Sequence, residues 1–440
     1  MFGRPWHCGG MRLGLRLVMP ALLVTAACAG SSDRESEPSS VTTADGGADE
    51  RVETTPVPNA PGVGEQARDR IVVATADGRI YHVDPNGADR VDLVGEDEPV
   101  ASQPVWSPDG RRLGWSQGDG AGFGITTSNI DGSEVRHAAT PFNGYYGYWD
   151  PTSSLIGFLG SAAPGTGLVL DDGSGTAISR TVDSDTFYYF SWSPDGARWV
   201  VHSGSGIRIV GLDGERTTVD LDRAAFRAPT WAPDGTIIVA VTRGDGSTIV
   251  RYDPETGDVD DLVDVGAVTN FVLDPTGRWL GIESIDIGAS PDGDGELRAL
   301  RAQPAPSAEV IIYDITTGAT EQALDSGSGG FWWSPDGTQL AMLIGEVDGT
   351  ALWNRWRVWS DGESFLTERF TITPTFAGAY VPFFDQFAQS VTPWSPDSGS
   401  FVYAGTDAAG TSGVFVQRAE PETPARRITD DGVIAFWSPT

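Results

Sequence analysis

The chain has 440 residues, of which 61 are acidic and 29 basic, so that its formal net charge at pH 7 is −32. So large a negative charge repels the phosphate groups of nucleic acids and of anionic lipids, and it excludes nucleic acid as a partner. The 56 glycines, 29 prolines and 15 tryptophans, together with only 20% charged residues, are typical of many short strands joined by tight turns. We therefore expect an all-β protein.

The first 27 residues have the pattern of an export signal. Arg12 and Arg16 precede an apolar run over residues 17–24, which small residues follow. The run is too short to span a membrane, and the whole pattern is typical of a secretory signal peptide over residues 1–27. Translation from Met11 is an alternative to the first methionine, because residues 1–10 add nothing that a signal peptide needs.

A cysteine stands directly behind this signal. Residues 24–28, Val-Thr-Ala-Ala-Cys, resemble the bacterial lipobox, in which cleavage precedes a diacylated cysteine. The resemblance implies lipidation at Cys28 and an exported protein anchored by its lipid to the outer face of the bacterial cell membrane or in the periplasm. Ordinary secretion with an incidental cysteine is the alternative. The other cysteine, Cys8, also precedes the folded region, so that region contains neither a disulfide nor a thiolate metal site.

The next segment predicts a tether. Residues 28–66 are mostly Ser, Thr, Glu, Asp, Pro, Gly and Ala, and none is aromatic. Such a composition cannot bury enough apolar surface to offset the entropy lost on ordering. We expect residues 28–66 to be the acylated cysteine and a disordered tether, and residues 67–440 to form a single domain.

One phrase recurs through that domain: Trp or Leu, then Ser, Asp or Ala, then Pro, then Asp or Thr, usually with Gly behind. The residues that precede the prolines are 43, 43, 39, 42, 60, 61 and 43 positions apart. A period near 40–45 residues is typical of a β-propeller. Proline and glycine favour a chain reversal between two strands, and the tryptophan is expected to pack between neighbouring blades. The eight copies span residues 106–110, 149–152, 192–196, 231–235, 273–277, 333–337, 394–398 and 437–440.

The phrase W-S-P-D-G, an apolar strand and then I-Y-x-x-D resembles the WD40-like (PD40) repeats of TolB-type propellers, which also occur in prolyl oligopeptidases. The resemblance covers about residues 70–440 and implies a single β-propeller of about eight four-stranded blades. The first strands behind residue 70 lack an inner partner, and the strand over residues 432–437 is placed to supply it. We therefore predict a ring closed by N- and C-terminal strands in one composite blade.

The sequence shows no constellation for catalysis, a metal or a cofactor, and we predict none of these. The four histidines have no zinc-site spacing. The G-x-S-x-G motif at residues 114–118 ends a predicted strand instead of joining a strand to a helix, so we interpret it as coincidence. The acidic run at residues 292–296 offers oxygen ligands for Ca²⁺ but lacks the EF-hand spacing, which favours a solvated loop.

Two repeats are longer than the others, and their extra residues leave the same face of the predicted disc. Long loops in compact domains are usually functional or disordered, and the second of these is too aromatic for disorder. We predict a ligand site centred on Phe383, Phe384, Asp385 and Gln386, with Tyr380 and Trp356 nearby. Further aromatic side chains are expected on the same rim, namely Tyr145, Tyr146, Phe187, Tyr188 and Phe331. The alternative is that the loop aromatics pack inward and anchor their own loop.

These observations favour a monomeric envelope lipoprotein whose propeller binds another envelope protein, a peptide or a glycan, and which contacts the membrane only through its lipid anchor. Two alternatives stay open. One is an enzyme, a lyase or hydrolase with carboxylate chemistry at the channel mouth. The other is a structural subunit of an envelope assembly. Sparse histidines favour binding over catalysis, and the sequence leaves enzymatic activity open.

Overall fold

The computed structural model describes residues 68–118, 123–138, 144–162, 165–171, 180–183, 187–203, 206–222, 224, 227–243, 246–265, 268–286 and 307–440. Within these ranges the chain is almost entirely antiparallel β-structure. No helix in them is long and apolar enough to cross a membrane.

The described strands form six four-stranded sheets and one eight-stranded sheet. The first contains β1 (Ile71–Thr75), β2 (Ile80–Val83) and β3 (Val91–Val94) with β32 (Gly432–Trp437), and the second contains β4 (Ala101–Trp106), β5 (Arg112–Gly118), β6 (Phe123–Asn129) and β7 (Arg136–Ala138). The third contains β8 (Gly144–Trp149), β9 (Ile156–Ala162), β10 (Gly165–Asp171) and β11 (Arg180–Asp183), and the fourth contains β12 (Phe187–Trp192), β13 (Arg198–Ser203), β14 (Gly206–Gly211) and β15 (Arg216–Val219). The fifth contains β16 (Thr230–Trp231), β17 (Ile237–Arg243), β18 (Gly246–Tyr252) and β19 (Val259–Val265), and the sixth contains β20 (Val268–Leu273), β21 (Trp279–Asp286), β22 (Ser307–Asp314) and β23 (Thr320–Leu324).

The eight-stranded sheet holds the last two repeats. Its strands are β24 (Phe331–Trp333), β25 (Leu340–Asp348), β26 (Ala351–Ser360), β27 (Glu363–Leu366), β28 (Phe370–Ile372), β29 (Ser400–Asp407), β30 (Ser412–Arg418) and β31 (Arg426–Thr429). Three short helical pieces lie between β28 and β29, namely α1 (Pro374–Ala379), a 3-10 turn (Val381–Phe383) and α2 (Phe384–Phe387).

The recurring phrase forms the turn between the first and second strands of a sheet. In the first copy Ser107 Oγ donates to Asp109 Oδ1 over 2.7 Å, the Gly110 amide donates to the Ser107 carbonyl over 2.8 Å, and Gly110 has φ = +66°. A left-handed φ of this size suits glycine, which carries no Cβ.

The tryptophan of the phrase joins one sheet to the next. Trp192 Nε1 donates to the carbonyl of Tyr148 over 2.9 Å, and Trp333 Nε1 donates to the carbonyl of Val272 over 3.0 Å. Each acceptor lies on the first strand of the preceding sheet. Because these tryptophans are also buried, the predicted packing role between neighbouring sheets is confirmed.

The two ends of the described chain share one sheet. Strand β32 pairs antiparallel with β1 from Ile71 opposite Trp437 to Thr75 opposite Gly432. Outside the ladder, Trp437 Nε1 donates to Asp69 Oδ1 over 2.7 Å. The first strands of several successive sheets contact each other, as β4 does with β8, β12 with β16 and β20 with β24. The sheets therefore form a β-propeller, with the apolar core between them.

The expectation of a closed ring of about eight four-stranded blades is wrong. The last two repeats share a single sheet, because β28 pairs with both β26 and β29. The reason is local to residues 391–394, where the repeat predicts a regular first strand. Thr392 and Trp394 make only isolated bridges there, so the far end of β29 pairs with β28 instead.

Candidate functional site

The second long segment, residues 373–391, is called the insert below. It begins with a capped helix: the Thr373 hydroxyl accepts from the Phe376 amide over 3.1 Å, and Pro374 occupies the first helical turn. Threonine at the cap and proline directly behind it are favourable at a helix start. The same hydroxyl donates to the Val433 carbonyl over 2.6 Å, which ties the start of the insert to β32.

Gln386 ties α2 to two other sheets. Its side-chain Nε2 donates to the Tyr146 hydroxyl over 2.5 Å and to the Phe190 carbonyl over 2.8 Å, while its Oε1 accepts from the Phe190 amide over 3.1 Å. The Tyr146 hydroxyl in turn donates to the Gln386 carbonyl over 2.9 Å. All three residues are buried, so both ends of the Gln386 amide are fixed by partners on β8 and β12.

Tyr146 reaches the insert through an irregularity in β8. The pairing of β8 with β9 shifts between Tyr145 and Gly147, and Tyr146 has φ = +54°. A β-bulge turns one side chain away from the regular alternation of the strand, and a left-handed conformation is costly for a tyrosine. The hydrogen bonds with Gln386 therefore compensate for local strain in β8.

Aromatic contacts hold the rest of the insert. The ring centre of Phe384 lies 4.8 Å from that of Phe331 on β24, and Tyr380 lies 5.2 Å from Phe436 on β32. Together with the hydrogen bonds of Gln386, these contacts connect the insert to β8, β12 and β24, which are the first strands of their sheets, and to β32. Because the inner strands of a propeller surround its central channel, the insert lies over that channel.

Two carboxyl groups are buried at this place. Asp385 is 2% exposed; its Oδ2 accepts from the Ala228 amide over 3.2 Å, while Oδ1 has no hydrogen-bond partner among the described residues. Glu283 is 4% exposed and accepts from Asn270 Nδ2 over 2.7 Å and from the Ser328 amide over 2.6 Å. Burial raises the pKa of both carboxyl groups.

The positive charge of Arg227 acts on both carboxyl groups. Its positive charge opposes the effect of burial and lowers the pKa of Asp385 and of Glu283. Burial raises the pKa of Tyr189, which lies in the same group. His202 Nδ1 donates to the Arg227 carbonyl over 2.8 Å and so helps to position this residue. Two buried carboxyl groups therefore share the field of one half-buried arginine, and perturbed groups of this kind are typical of functional sites.

The structure separates the six predicted site residues by exposure. Phe383 is 48% exposed. The other five residues are each only 2–3% exposed, namely Trp356, Tyr380, Phe384, Asp385 and Gln386. Trp356 belongs to β26 and packs against Trp332, Phe370 and Phe401 inside the last sheet. Ligand binding by this set stays a prediction, and the structure shows that most of its members anchor the insert.

The rim aromatics also differ. Tyr145 is 39% exposed, whereas Tyr146 and Phe331 are buried against the insert. The side chains of Phe187 and Tyr188 lie outside the described residues, as do Cys28 and the acidic run at residues 292–296. Within the described ranges, no group of three or more His, Cys, Asp and Glu side chains is placed to hold a metal ion.

Sequence reasoning missed Arg227 and Glu283. Glu283 directly follows the apolar run Trp279-Leu280-Gly281-Ile282 of β21, and an acid inside such a strand is a signal of a buried polar role. Arg227 has no such signal, because it lies in an irregular segment between β15 and β16. Only the tertiary structure places it beside the insert.

The fold and the insert define the class: a β-propeller with a helical segment seated across its central channel. No protein-family model and no curated protein matches the sequence. Solved structures similar to the chain include TolB from Acinetobacter baumannii, with a TM-score of 0.40 and 16% identity over 68% of this chain and 79% of that chain.

Two further solved structures are similar. A eukaryotic initiation factor has a TM-score of 0.52 and 11% identity, covering 85% of this chain and 98% of that chain. The β-propeller domain of the Trilobed protease from Pyrococcus furiosus has a TM-score of 0.46 and 15% identity, covering 76% of this chain and 99% of that chain. At such identities the likeness concerns the fold alone.

Proposed function

We propose that the chain is an exported, lipid-anchored envelope protein whose propeller binds a protein, a peptide or a glycan, and that the ligand contacts the face that carries the insert. The observation that carries this proposal is the exposure of Phe383 on a segment whose neighbours are fixed. Phe384 and Gln386, on the same short stretch, are held by aromatic and hydrogen-bond contacts. An aromatic ring displayed in this way loses little conformational freedom when it binds.

The surroundings of Phe383 suit an uncharged or basic ligand. Pro382 is exposed next to it and presents an apolar ring. Exposed aromatic side chains favour contacts with sugar rings and with apolar peptide side chains. The net charge of −32 disfavours a polyanion.

Affinity capture tests the binding face. Full-length protein, tagged at its C-terminus, is purified from detergent-solubilised native membranes, and the associated proteins and glycans are identified by mass spectrometry. Phe383→Ala is expected to lose the specific partner while its melting temperature stays within about 1 °C of wild type. Val135→Ala is the matched control, because Val135 is 58% exposed and lies near the opposite end of the strands. Equal recovery of partners by the two variants would contradict the assignment of the face.

The lipid anchor has its own test. Cys28→Ala is expected to move the protein from the membrane fraction to the soluble fraction, because Cys28 is the only cysteine that a lipobox-like sequence precedes. A wild-type protein that partitions like the variant, or a mature N-terminus that maps away from residue 28, would refute lipidation.

Enzymatic activity is a second candidate, which the buried carboxyl groups of Asp385 and Glu283 favour. Burial raises the pKa of both carboxyl groups, and a raised carboxyl pKa is typical of general acids. A turnover screen with glycans and peptides, run on wild type and on Glu283→Gln, separates this candidate from binding. If wild type turns over a substrate and Glu283→Gln does not, the result favours an enzymatic function. If wild type shows no turnover, the result excludes this candidate.

A further inference from the structure

A groove of about 310 Å³ lies between the outer strands of the last two repeats. One wall is formed by residues 366–368 at the end of β27, and the other by residues 420–423 in the turn between β30 and β31. Strand β27 pairs with β26 as far as Leu366, after which the chain crosses to β29 and pairs with it as β28. The crossing that joins the two repeats into one sheet therefore also forms the first wall of the groove.

Hydrogen bonds to Thr367 fix this first wall. The Thr367 amide donates to the Trp356 carbonyl over 2.9 Å, and its hydroxyl accepts from the Trp356 amide over 3.0 Å. Arg355, the one guanidinium of the described lining, donates from Nη1 to the Thr367 carbonyl over 2.7 Å. Arg355 also pairs with Glu346 over 3.1 Å. The charge of Arg355 is therefore offset by a carboxylate that does not line the groove.

Three carboxylates line the groove, and two of them are not paired. Glu420 pairs with Arg418 over 2.6 Å, so an arginine outside the lining offsets its charge. Glu368 on the first wall and Glu422 on the second are exposed, and neither carboxylate has a hydrogen bond or ion pair with a described residue. Once the ion pairs of Glu420 and Arg355 are counted, the negative charges of Glu368 and Glu422 remain, one on each wall.

Gln417 adds a buried acceptor to the groove. This residue is 1% exposed and belongs to the lining. Its Nε2 donates to the Arg418 carbonyl over 3.0 Å and to the Thr423 carbonyl over 2.7 Å, and two carbonyl partners require the NH₂ end of the amide on the side of the turn. Its Oε1 points away from that turn and has no hydrogen-bond partner among the described residues. Because a buried acceptor without a donor is unfavourable, a ligand that brings a donor to Oε1 gains affinity.

We propose that this groove binds the basic side chain of a peptide. A lysine ammonium group carries three donors and no acceptor, and Glu368, Glu422 and Gln417 Oε1 offer it three acceptors without partners among the described residues. The three glutamates of the lining form no group that could hold a metal ion, so the groove suits an extended organic cation. Leu366 provides apolar surface for the methylene stem of the side chain. The net charge of −32 attracts a basic peptide to the protein.

Calorimetric titration of the full-length protein in neutral detergent tests this inference. The probe is acetyl-Ala-Lys-Lys-Ala-amide, and the same capped peptide with glutamine in place of lysine is the uncharged comparison. 1,4-Diaminobutane, which carries two ammonium groups without a peptide backbone, is the third titrant. We expect saturable binding of the lysine peptide that weakens as NaCl is raised from about 50 to about 300 mM, because salt screens charges in an open groove. The glutamine peptide is expected to release no heat of binding, and the diamine is expected to bind more weakly than the lysine peptide.

Variants locate the binding. Glu422→Gln and Glu368→Gln remove one charge from each wall, and each is expected to raise the Kd for the lysine peptide about fivefold, the effect of losing one partly exposed charge pair. Glu215→Gln is the matched control, because Glu215 is an exposed glutamate in the corresponding turn of another sheet, between β14 and β15, and it is expected to leave the Kd unchanged.

Two sets of results would overturn the proposal. No saturable binding of the lysine peptide, or equal binding of the glutamine peptide, would exclude a site for basic side chains. An equal effect of Glu215→Gln and Glu422→Gln would show that net charge alone attracts the probe and would exclude the groove. Binding of the diamine as tight as that of the lysine peptide would overturn the assignment to a peptide.

Discussion

Phe383 and Phe384 are adjacent and chemically identical, yet the structure predicts opposite effects when either is replaced by alanine. Phe384 is 3% exposed and packs against Phe331 and Trp332, whereas Phe383 is 48% exposed. Removal of a buried phenylalanine side chain costs about 3–5 kcal/mol, from lost transfer energy and from the cavity left behind. Removal of a half-exposed ring usually costs about 0.5 kcal/mol or less.

Thermal unfolding and hydrogen exchange measure the difference between the two variants. For a domain of this length, 1 kcal/mol shifts the melting temperature by roughly 1–2 °C, because the entropy of unfolding scales with chain length. We expect Phe384→Ala to melt about 4–8 °C below wild type, or to lose amide protection over residues 374–391 if the insert detaches before the sheets unfold. Phe383→Ala is expected to match wild type in both measurements. Equal melting temperatures and equal protection of the two variants would refute the anchoring role of Phe384.

Three other predictions concern pH and the chain ends. Burial lowers the pKa of His82 from its ordinary 6.5 to about 4. The neutral imidazole therefore contributes about 3 kcal/mol to the free energy of unfolding above pH 6.5, and this contribution is lost as the pH falls towards 4. Urea unfolding from pH 7 to 4.5 should show the free energy of unfolding falling with pH, and His82→Gln should reduce that dependence. Because burial raises the pKa of Asp385 from its ordinary 3.8, ionisation of this group lowers the stability of wild type as the pH rises, so Asp385→Asn should gain stability relative to wild type as the pH rises above 3.8; parallel curves for the two proteins would exclude the effect. Deletion of residues 70–96 removes β1 to β3 and exposes the edge of β32, so the variant should aggregate or melt well below wild type, and a monomer with an unchanged midpoint would show that this pairing is dispensable.

The repeated turn made most of the strands predictable, because each of its residues has a local physical role. Proline sets one backbone angle, aspartate accepts from nearby amides, and glycine adopts the left-handed φ that Gly110 and Gly337 show. The packing of the tryptophans followed from their size. Such local rules do not depend on distant parts of the chain.

The number of separate sheets could not be predicted in the same way. The phrase at residues 394–398 has the same turn as the other copies, and its Ser395 Oγ donates to Asp397 Oδ1. Whether the residues in front of it form a strand depends on β28, which occupies the available edge of β29. Competition between two segments for one strand edge is a tertiary effect that periodicity does not contain.

The candidate site shows the same limit. The sequence correctly drew attention to the segment with Tyr380 and Phe384, but aromatic residues in a loop are compatible with display or with anchoring. Their burial depends on partners far away in the chain, since Tyr380 packs against Phe436 and Phe384 packs against Phe331. Arg227 could not be predicted for the same reason, because its charge acts on Asp385 only once the fold brings these distant parts of the chain together.

Photo-crosslinking from the insert tests the central claim most directly. p-Benzoylphenylalanine is placed at position 383 in the full-length, membrane-anchored protein, and the same residue at position 135 is the control. Irradiation of intact cells is expected to yield a discrete adduct of one partner from position 383 and none from position 135. Adducts from position 135 alone, or no adduct from position 383, would contradict a binding face at the insert.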